Sequence, residues 1–241
     1  HLQWNMKQLS KICHQLYRDY CPDSLKHRHN VSLSKVSDES LLVLLLLQAE
    51  LRIKSQRHFH RICQLFPCGR LLERSRFNRR SRQLIWLLQL IRQAMNDRVS
   101  SNNMVIMDSF PLPLCQSVRN HRASIFEGLV DIGYNASKHL WFYGFKVHML
   151  VTLSGYILNY IVTSASVHDI KAVEDLLEGC QQSVILADLG YLSQALKDRL
   201  KQRGYHLWTP LRQNMGSASQ HNNGRLLAMR RTIETCFSEL C

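Results

Sequence analysis

Two short apolar runs, each followed by an aspartate, constrain this chain more than any other feature. Val184–Ala187 is an apolar run that leads into Asp188, and Gly190 two positions later favours a turn. The earlier run at residues 104–107 leads in the same way into Asp108. We interpret both runs as short buried strands. Each aspartate would then lie at the carboxyl end of a strand, where ligand and catalytic groups collect in open α/β sheets.

If these two strands are neighbours, the two carboxylates come close together. Like charges at close range repel each other unless a cation lies between them. The sequence therefore predicts that Asp108 and Asp188 hold a divalent metal ion. The alternative left open is that each aspartate only forms a turn or caps a helix after an ordinary strand.

The charge of the chain is large and unevenly distributed. The 241 residues carry a formal net charge of +13. Residues 1–103 hold 18 Lys and Arg against 7 Asp and Glu, whereas the remainder holds 13 against 11. Such an excess predicts a polyanionic partner, with nucleic acid first and an anionic membrane surface second. No apolar run approaches the ~20 residues that span a bilayer, so we expect no membrane partner.

The cysteines favour a reducing compartment over a disulfide framework. The eight cysteines are scattered and contain no CxxC pair. Cys63 and Cys68 have a zinc-like spacing, with His58 and His60 as the nearest further ligands, but free buried thiols are the preferred interpretation.

The pattern over residues 1–100 predicts a small, all-helical, basic DNA-binding domain. Helical stripes cover residues 9–20, 38–51, 58–66 and 84–95, with Ser37 as the cap of the second helix and a turn at residues 67–69. Helices separated by short turns are compatible with a helix-turn-helix. A cluster of arginines suits phosphate contacts, although a solvated helix face is the open alternative. The cluster comprises Arg74, Arg76, Arg79, Arg80 and Arg82.

After a polar linker at 96–103 the pattern changes to that of a mixed α/β sheet with helices over residues 104–241. Further strands are predicted at 141–151, 157–163 and 206–209, the first two as a hairpin around Gly155. Helices are predicted at 172–177, from Ser193 to Gly204 and from Arg225 onward. Residues 110–113 and 212–224 are expected to be loops.

The last helix supplies a third carboxylate. Arg230, Glu234 and Ser238 are spaced by four and share one helix face. One interpretation is that Arg230 and Glu234 form an ordinary surface pair. The other is that Glu234 completes the metal site while Arg230 or Arg231 contacts phosphate.

These motifs resemble those of the DDE transposases of bacterial insertion sequences, and most of all those of the insertion-sequence 982 family. The resemblance rests on Asp108 after its strand, on Asp188 in an Ala-Asp-x-Gly-Tyr setting and on the late-helix segment 230–238. The segments 75–80, 141–146 and 165–169 are also similar to that family.

The resemblance implies an RNase H-like fold with Asp108, Asp188 and Glu234 as a catalytic, metal-binding triad. The implied function is DNA transposition: metal-dependent DNA strand cleavage and strand transfer with Mg²⁺, for which Mn²⁺ can substitute. The expected partner is double-stranded DNA, as terminal inverted repeats and as target, contacted also by Lys146. A homo-oligomer and a location in the bacterial cytoplasm, on the nucleoid when bound to DNA, are expected as well.

Two features depart from the related Tyr-x-x-Arg-x-x-x-Glu signature. Arg230 matches it, but Leu227 stands where tyrosine is expected, and Ser238 and Cys241 stand where a lysine is expected. The chain also ends seven residues after Glu234, so we expect a catalytic domain truncated at its C-terminus. The alternatives are therefore an inactive remnant that only binds DNA, or an RNase H-like nuclease without strand transfer.

Overall fold

The computed structural model describes residues 2–65, 70–96, 103–136 and 139–240, with the side chains of residues 2–5 left aside. It divides into two compact units, His1–Val99 and Ser100–Cys241. The predicted turn at 67–69 and most of the predicted linker lie outside the described residues. The roles assigned to the two parts of the chain stay predictions.

The regular secondary structure in the described residues of the first unit is all helical. Its helices are α1 (Leu2–Tyr20), α2 (Asp23–Lys26), α3 (Asp38–Glu50), α4 (Gln56–Leu65) and α5 (Arg74–Asn96). The side chains that close its core come chiefly from α3, α4 and α5, including Leu41, Leu47, Phe59, Leu84 and Leu87. α3 begins as its sequence indicates, because the hydroxyl of Ser37 accepts a hydrogen bond from the backbone amide of Ser40.

The arginine cluster and the apolar helix that follows it form one helix. Sequence reasoning separated residues 70–82 from a helix at 84–95, but α5 runs without a break from Arg74 to Asn96. Phe77 and Ser81, within the arginine-rich part, are buried and continue the stripe of Leu84, Leu87 and Ile91. That stripe has helical spacing over the whole length, so packing on one side keeps the basic segment helical.

A buried ion cluster joins three parts of the helical unit. Asp38 is 4% exposed and accepts hydrogen bonds from Nη2 of Arg80 at 2.6 Å and Nη2 of Arg28 at 2.9 Å. Arg80 also donates to the carbonyl of Val36 at 2.7 Å. Arg80 is therefore an internal ion-pair partner of Asp38, and its contact with DNA stays a prediction.

The second unit is built on a six-stranded mixed sheet. Its strands are β1 (Met104–Pro113), β2 (Asp131–Asn135), β3 (Leu140–Thr152), β4 (Ile157–Ser164), β5 (Val184–Ala187) and β6 (His206–Trp208). Its helices are α6 (Val173–Leu176), α7 (Gln194–Gln202), α8 (Ala218–His221) and α9 (Gly224–Leu240).

Strand order explains how the sheet is assembled. The path is β2-β3-β1-β5-β6, and β4 pairs with β3. β1 pairs antiparallel with residues 144–152 of β3, whereas β2 and β4 share the opposite edge of β3. β1 and β5 are parallel neighbours, as are β5 and β6. The two aspartate-bearing strands are thus neighbours, which is the condition for Asp108 and Asp188 to lie close together.

Three sequence-based expectations about this unit were wrong in detail. β1 does not end at Asp108 but continues through the expected loop to Pro113, because its pairing with β3 continues. Pro111 and Pro113 are tolerated there since β1 has no partner on the β5 side beyond Met107. The strand β2 was not anticipated, and residues 212–224 contain the short helix α8.

Side-chain alternation divides the sheet into two packed faces. On one face, Val105 and Met107 pack with side chains of α6 and α7. On the other, Ile106 of β1 and Leu186 of β5 pack against Ile233 of α9. A mixed sheet covered on both faces by helices is consistent with the RNase H-like transposase fold expected from the sequence. Among the described residues, no helix has the length and apolar character needed to cross a membrane.

We predict that Asp38→Asn destabilises the helical unit by about 3 kcal/mol at pH 7, because the partly buried guanidinium groups of Arg28 and Arg80 lose their buried counterion. Burial alone would raise the pKa of Asp38, but hydrogen bonds from Arg28 and Arg80 outweigh it and lower that pKa. The difference between wild type and variant should therefore be constant above pH ~4 and shrink below it, as Asp38 protonates in the folded protein.

The measurement is urea unfolding of the full chain, with hydrogen exchange of α3 and α5 as the local probe. The matched control is Glu174→Gln, which breaks an exposed pair with Arg199 and should change stability by less than about 0.5 kcal/mol. Equal stability of Asp38→Asn and this control would contradict the prediction.

Candidate active site

The alternation of side chains along β1 and β5 places both aspartates on the same face of the sheet. The parallel pairing of these strands ends at Met107 and Ala187, and Asp108 and Asp188 are the next residues on each strand. Both have the parity of Ile106 and Leu186, whose side chains lie on the α9 face. The two carboxylates therefore project toward α9 from neighbouring positions.

The apolar stripe of α9 sets where its polar side chains lie. Ile233 and Cys236 are buried against the sheet, with Met229 and Phe237 packed beside them. This contact holds the helix against β1 and β5. The next face of α9 then carries Arg230 and Glu234, one turn apart, to the carboxyl ends of these strands.

Arg230 is the point on which the three predicted acids converge. Its Nη1 lies 3.4 Å from Oδ2 of Asp108 and 3.6 Å from Oδ1 of Asp188, and its Nη2 lies 3.5 Å from Oε1 of Glu234. The Arg230 and Asp108 side chains are 16% and 17% exposed, whereas Asp188 and Glu234 are 44% and 56% exposed. The surface-pair interpretation of Arg230 and Glu234 is thus incomplete, since Arg230 also reaches both aspartates.

The charge of Asp108 is poorly compensated. Burial raises its pKa to about 7, and the neighbouring carboxylates of Asp188 and Asp169 act in the same direction. The backbone amide of Ser109 at 2.8 Å and the guanidinium of Arg230 act in the opposite direction. Any further cation that reaches a mostly buried carboxyl with a raised pKa stabilises its charged form.

The donor set fits a hard divalent cation, although the side chains are not arranged around one. Among the described residues, no three His, Cys, Asp or Glu side chains are positioned to hold a metal ion as they stand. Instead the guanidinium of Arg230 supplies positive charge to Asp108, Asp188 and Glu234. Three carboxylates facing one point have the oxygen chemistry that Mg²⁺ and Mn²⁺ prefer.

A second polar group, which sequence reasoning did not assemble, lies beside the triad. Nζ of Lys146 donates to Oδ1 of Asp169 at 2.9 Å and to the carbonyl of Val167 at 3.0 Å. The fully buried His148 lies 3.9 Å from the same oxygen through Nδ1, and its Nε2 lies 3.0 Å from the hydroxyl of Thr163. Burial lowers the pKa of His148 to about 4, which keeps it neutral.

This group borders the loop that carries Asp188. A Cβ on Gly190 would lie 3.3 Å from Oδ2 of Asp169, so glycine allows the loop to approach Asp169 closely. Tyr191 is buried in the same loop, and burial, followed by the charges of Asp169 and Asp108, raises its pKa well above the usual value. Lys146 and His148 are two residues apart on β3, and side chains with this spacing lie on the same face of a strand. This spacing was the one feature of the sequence that could have placed them together.

The other predicted DNA contacts fall into two groups. Arg231 on α9 and the four arginines Arg74, Arg76, Arg79 and Arg82 on α5 are exposed. Lys146, by contrast, is 16% exposed and forms an ion pair with Asp169, and its contact with DNA stays a prediction. Among the predicted DNA contacts of the second unit, Arg230 is the side chain that contacts all three acids of the triad. The six cysteines of the described residues form no disulfide with one another.

The part of the chain that carries these residues matches a known family. The sequence profile described as the transposase DDE domain matches residues 90–241. The chain belongs to the transposase DDE-domain family. The match covers the whole sheet and α9, and with them Asp108, Asp188 and Glu234. Among curated proteins no relative matches the chain.

Solved structures of two transposase complexes are similar to the chain at low identity. The piggyBac transposase synaptic complex with hairpin DNA gives a TM-score of 0.47 at 13% identity, covering 86% of this chain and 52% of that one. The Mos1 transposase paired-end complex with the left transposon end gives 0.27 at 8% identity, covering 80% and 74%. This chain thus spans about half the length of the piggyBac chain. The family assignment rests on the sequence profile, since both TM-scores lie below 0.5.

We predict that Asp108→Asn stabilises the metal-free protein at pH 8. The folded-state pKa of Asp108, about 7, exceeds its ordinary value of 3.8, so the wild type loses stability as pH rises from about 4 to about 7. The variant avoids this loss, which amounts to at most about 4 kcal/mol. Urea unfolding in EDTA across this pH range measures the difference.

The same variant should lose the metal response. Mn²⁺ should raise the unfolding temperature of the wild type and leave that of Asp108→Asn nearly unchanged, because a triad oxygen is gone. Destabilisation of Asp108→Asn at pH 8 without metal, or an undiminished response to Mn²⁺, would contradict the assignment of Asp108.

We further predict opposite effects of Arg230→Gln on stability and on metal affinity. Without metal, the buried Asp108 loses its guanidinium partner, and stability should fall by about 1–2 kcal/mol. Affinity for Mn²⁺ should rise several-fold, because the competing cation is removed from the three carboxylates. Calorimetric titration with Mn²⁺ measures this, and the adjacent, exposed Arg231→Gln is the matched control. A lower Mn²⁺ affinity in Arg230→Gln than in Arg231→Gln would show that Arg230 does not compete for the site.

Proposed function

We propose that this chain is a metal-dependent DNA transposase that cleaves DNA strands at the ends of an insertion sequence and transfers them to target DNA. The observation that carries the proposal is the convergence of Asp108, Asp188 and Glu234 on one guanidinium, from two adjacent parallel strands and one helix. Membership of the transposase DDE-domain family supports it.

Asp108, Asp188 and Glu234 would hold the divalent metal, with Mg²⁺ as the proposed ion and Mn²⁺ as a substitute. When bound, such ions activate a water or a DNA 3′-hydroxyl for attack on phosphorus and stabilise the leaving oxygen. Asp108 is the most enclosed of the three and therefore the best placed to bind at the centre of the site, while Asp188 and Glu234 bind from its open side.

In this proposal Arg230 contacts the three acids in the absence of metal and a DNA phosphate in its presence. While the acids are without metal, its guanidinium neutralises part of their mutual repulsion. Once a cation takes that role, the guanidinium becomes available to a DNA phosphate, which it can contact with two parallel hydrogen bonds. Arg231, on the exposed side of the same turn, is proposed as a second phosphate contact.

The motifs at 75–80, 141–146 and 165–169 favour a place within the insertion-sequence 982 family. We accordingly propose a bacterial insertion sequence as the source and the bacterial cytoplasm as the place of action. Its DNA partners would be the terminal inverted repeats and the target duplex. Because strand transfer requires two ends to be held together, we propose that the chain acts as a homo-oligomer.

The test is strand cleavage and joining on labelled duplexes that carry the two terminal sequences of the element, with Mg²⁺ or Mn²⁺. We expect nicked and joined products from the wild type. Asp188→Asn should lower both by at least about 100-fold, because a metal-binding oxygen is lost. Asp198→Asn is the matched control, since Asp198 on α7 is hydrogen-bonded only to Gln194 of its own helix in the described structure.

Three outcomes separate the alternatives. Joined products that depend on Asp188 support the transposase. Nicked but never joined DNA would replace it by a nuclease. Retarded DNA that stays uncut in all variants would leave only DNA binding and overturn the proposed catalysis.

A further inference from the structure

The outward face of α5 carries an uninterrupted stripe of polar and aromatic side chains. Its members are Arg79, Arg82, Trp86, Gln89 and Gln93, all exposed. Their spacing of three and four residues puts them within a narrow sector of the helix, opposite the buried stripe that ends at Ile91. At 1.5 Å per residue the stripe is about 21 Å long.

The stripe has no role inside the helical unit. Among residues 2–65 and 70–96, none of its five side chains makes a hydrogen bond or an ion pair. Trp86 is 47% exposed although it is the largest side chain type, and α5 contains six arginines and no acid. Side chains of this kind, with no internal partner, are available to an external one.

The chemistry of the stripe matches base edges in duplex DNA. Arginine forms two hydrogen bonds with guanine, and glutamine does so with adenine, while an aromatic ring can contact the methyl group of thymine. The major groove of B-DNA is wide enough to admit an α-helix. An apolar partner surface would instead require apolar side chains, which the stripe lacks apart from Trp86.

The surroundings of α5 suit contacts to the two DNA backbones. Arg74 and Arg76 lie at the N-terminus of α5, and Arg57 and Arg61 lie one turn apart on α4, all four exposed. α4 is held to α5 by the amide of Asn78, which donates to Gln56 Oε1 at 2.5 Å. Between residues 51 and 96 the sequence has 11 Lys and Arg and a single acid, Glu73. Such a flank attracts phosphates and positions a helix without reading sequence.

We infer that α5 is the recognition helix of this protein, and that Arg79, Arg82, Trp86, Gln89 and Gln93 read base edges in the major groove of duplex DNA. This inference rests on the proposed function, and it deepens that function by assigning the partner to one helix face. Arg80, on the flank of the same helix, does not take part because it is paired with Asp38. Arg57, Arg61, Arg74 and Arg76 hold the phosphates on either side.

The experiment selects duplexes from a randomised 30-base-pair pool with the full chain, without metal, and measures affinity by fluorescence anisotropy. Arg79→Ala and Gln89→Ala should each lower affinity for the selected duplex roughly 10- to 100-fold, and repeated selection should lose one preferred base each. Arg76→Ala should weaken all duplexes alike and reduce the salt dependence by about one phosphate contact.

The matched control is Lys11→Ala, an exposed lysine on α1, which should leave the selected sequence and its affinity unchanged. All of these positions are on the surface, and circular dichroism melting confirms that each variant is folded. The inference is overturned if Arg79→Ala, Trp86→Ala and Gln89→Ala select the same sequence with the affinity of Lys11→Ala. Sequence preference of the wild type would then arise elsewhere, and the proposed transposase would stand. Failure of the wild type to bind any duplex would overturn the DNA partner itself.

Discussion

Repulsion among carboxylates at the end of a buried strand pair is the constraint on which the rest of the second unit depends. Asp108 and Asp188 lie within 3.6 Å of the same guanidinium nitrogen, and Asp108 is largely enclosed. In such surroundings the interaction of unit charges is several times stronger than in water. Positive charge must therefore be delivered to this place. In the described structure α9 delivers it through Arg230, whose position depends on the packing of Ile233 against the sheet.

The two faces of the sheet stabilise this site in different ways. The side chains of α6 and α7 form an apolar layer with Val105, Met107 and Ile185, and this layer fixes the strands that carry the aspartates. The opposite face is covered by α9, and it is apolar up to the strand ends and charged beyond them. The ion pair of Lys146 and Asp169 lies instead on the side of α6 and α7, where it borders the loop of Gly190. Asp108, within β1, lies on the enclosed side of the triad, whereas Asp188, just after β5, and Glu234 on α9 lie on its open side.

Two neighbouring arginines on α5 have different environments, one internal and one exposed. Arg80 is drawn inward by the buried Asp38, whereas Arg79 on the adjacent position projects outward. A helical rotation of about 100° per residue is enough to separate an internal counterion from a surface cation. The charge of this unit is therefore partly structural and partly available to a polyanion, and counts of basic residues alone do not distinguish the two.

The sequence by itself determined the elements with strong local patterns, and it singled out the three acids that the structure brings to Arg230. The cap at Ser37, the runs before Asp108 and Asp188, and the stripe of α9 are all visible in it, because periodicity and capping act within a few residues. Tertiary structure decided the continuation of β1 to Pro113, the strand β2, and the internal ion pairs of Arg80 and Lys146. Each of these depends on a partner distant in the chain, and no local pattern encodes which partner a strand edge or a long charged side chain will find.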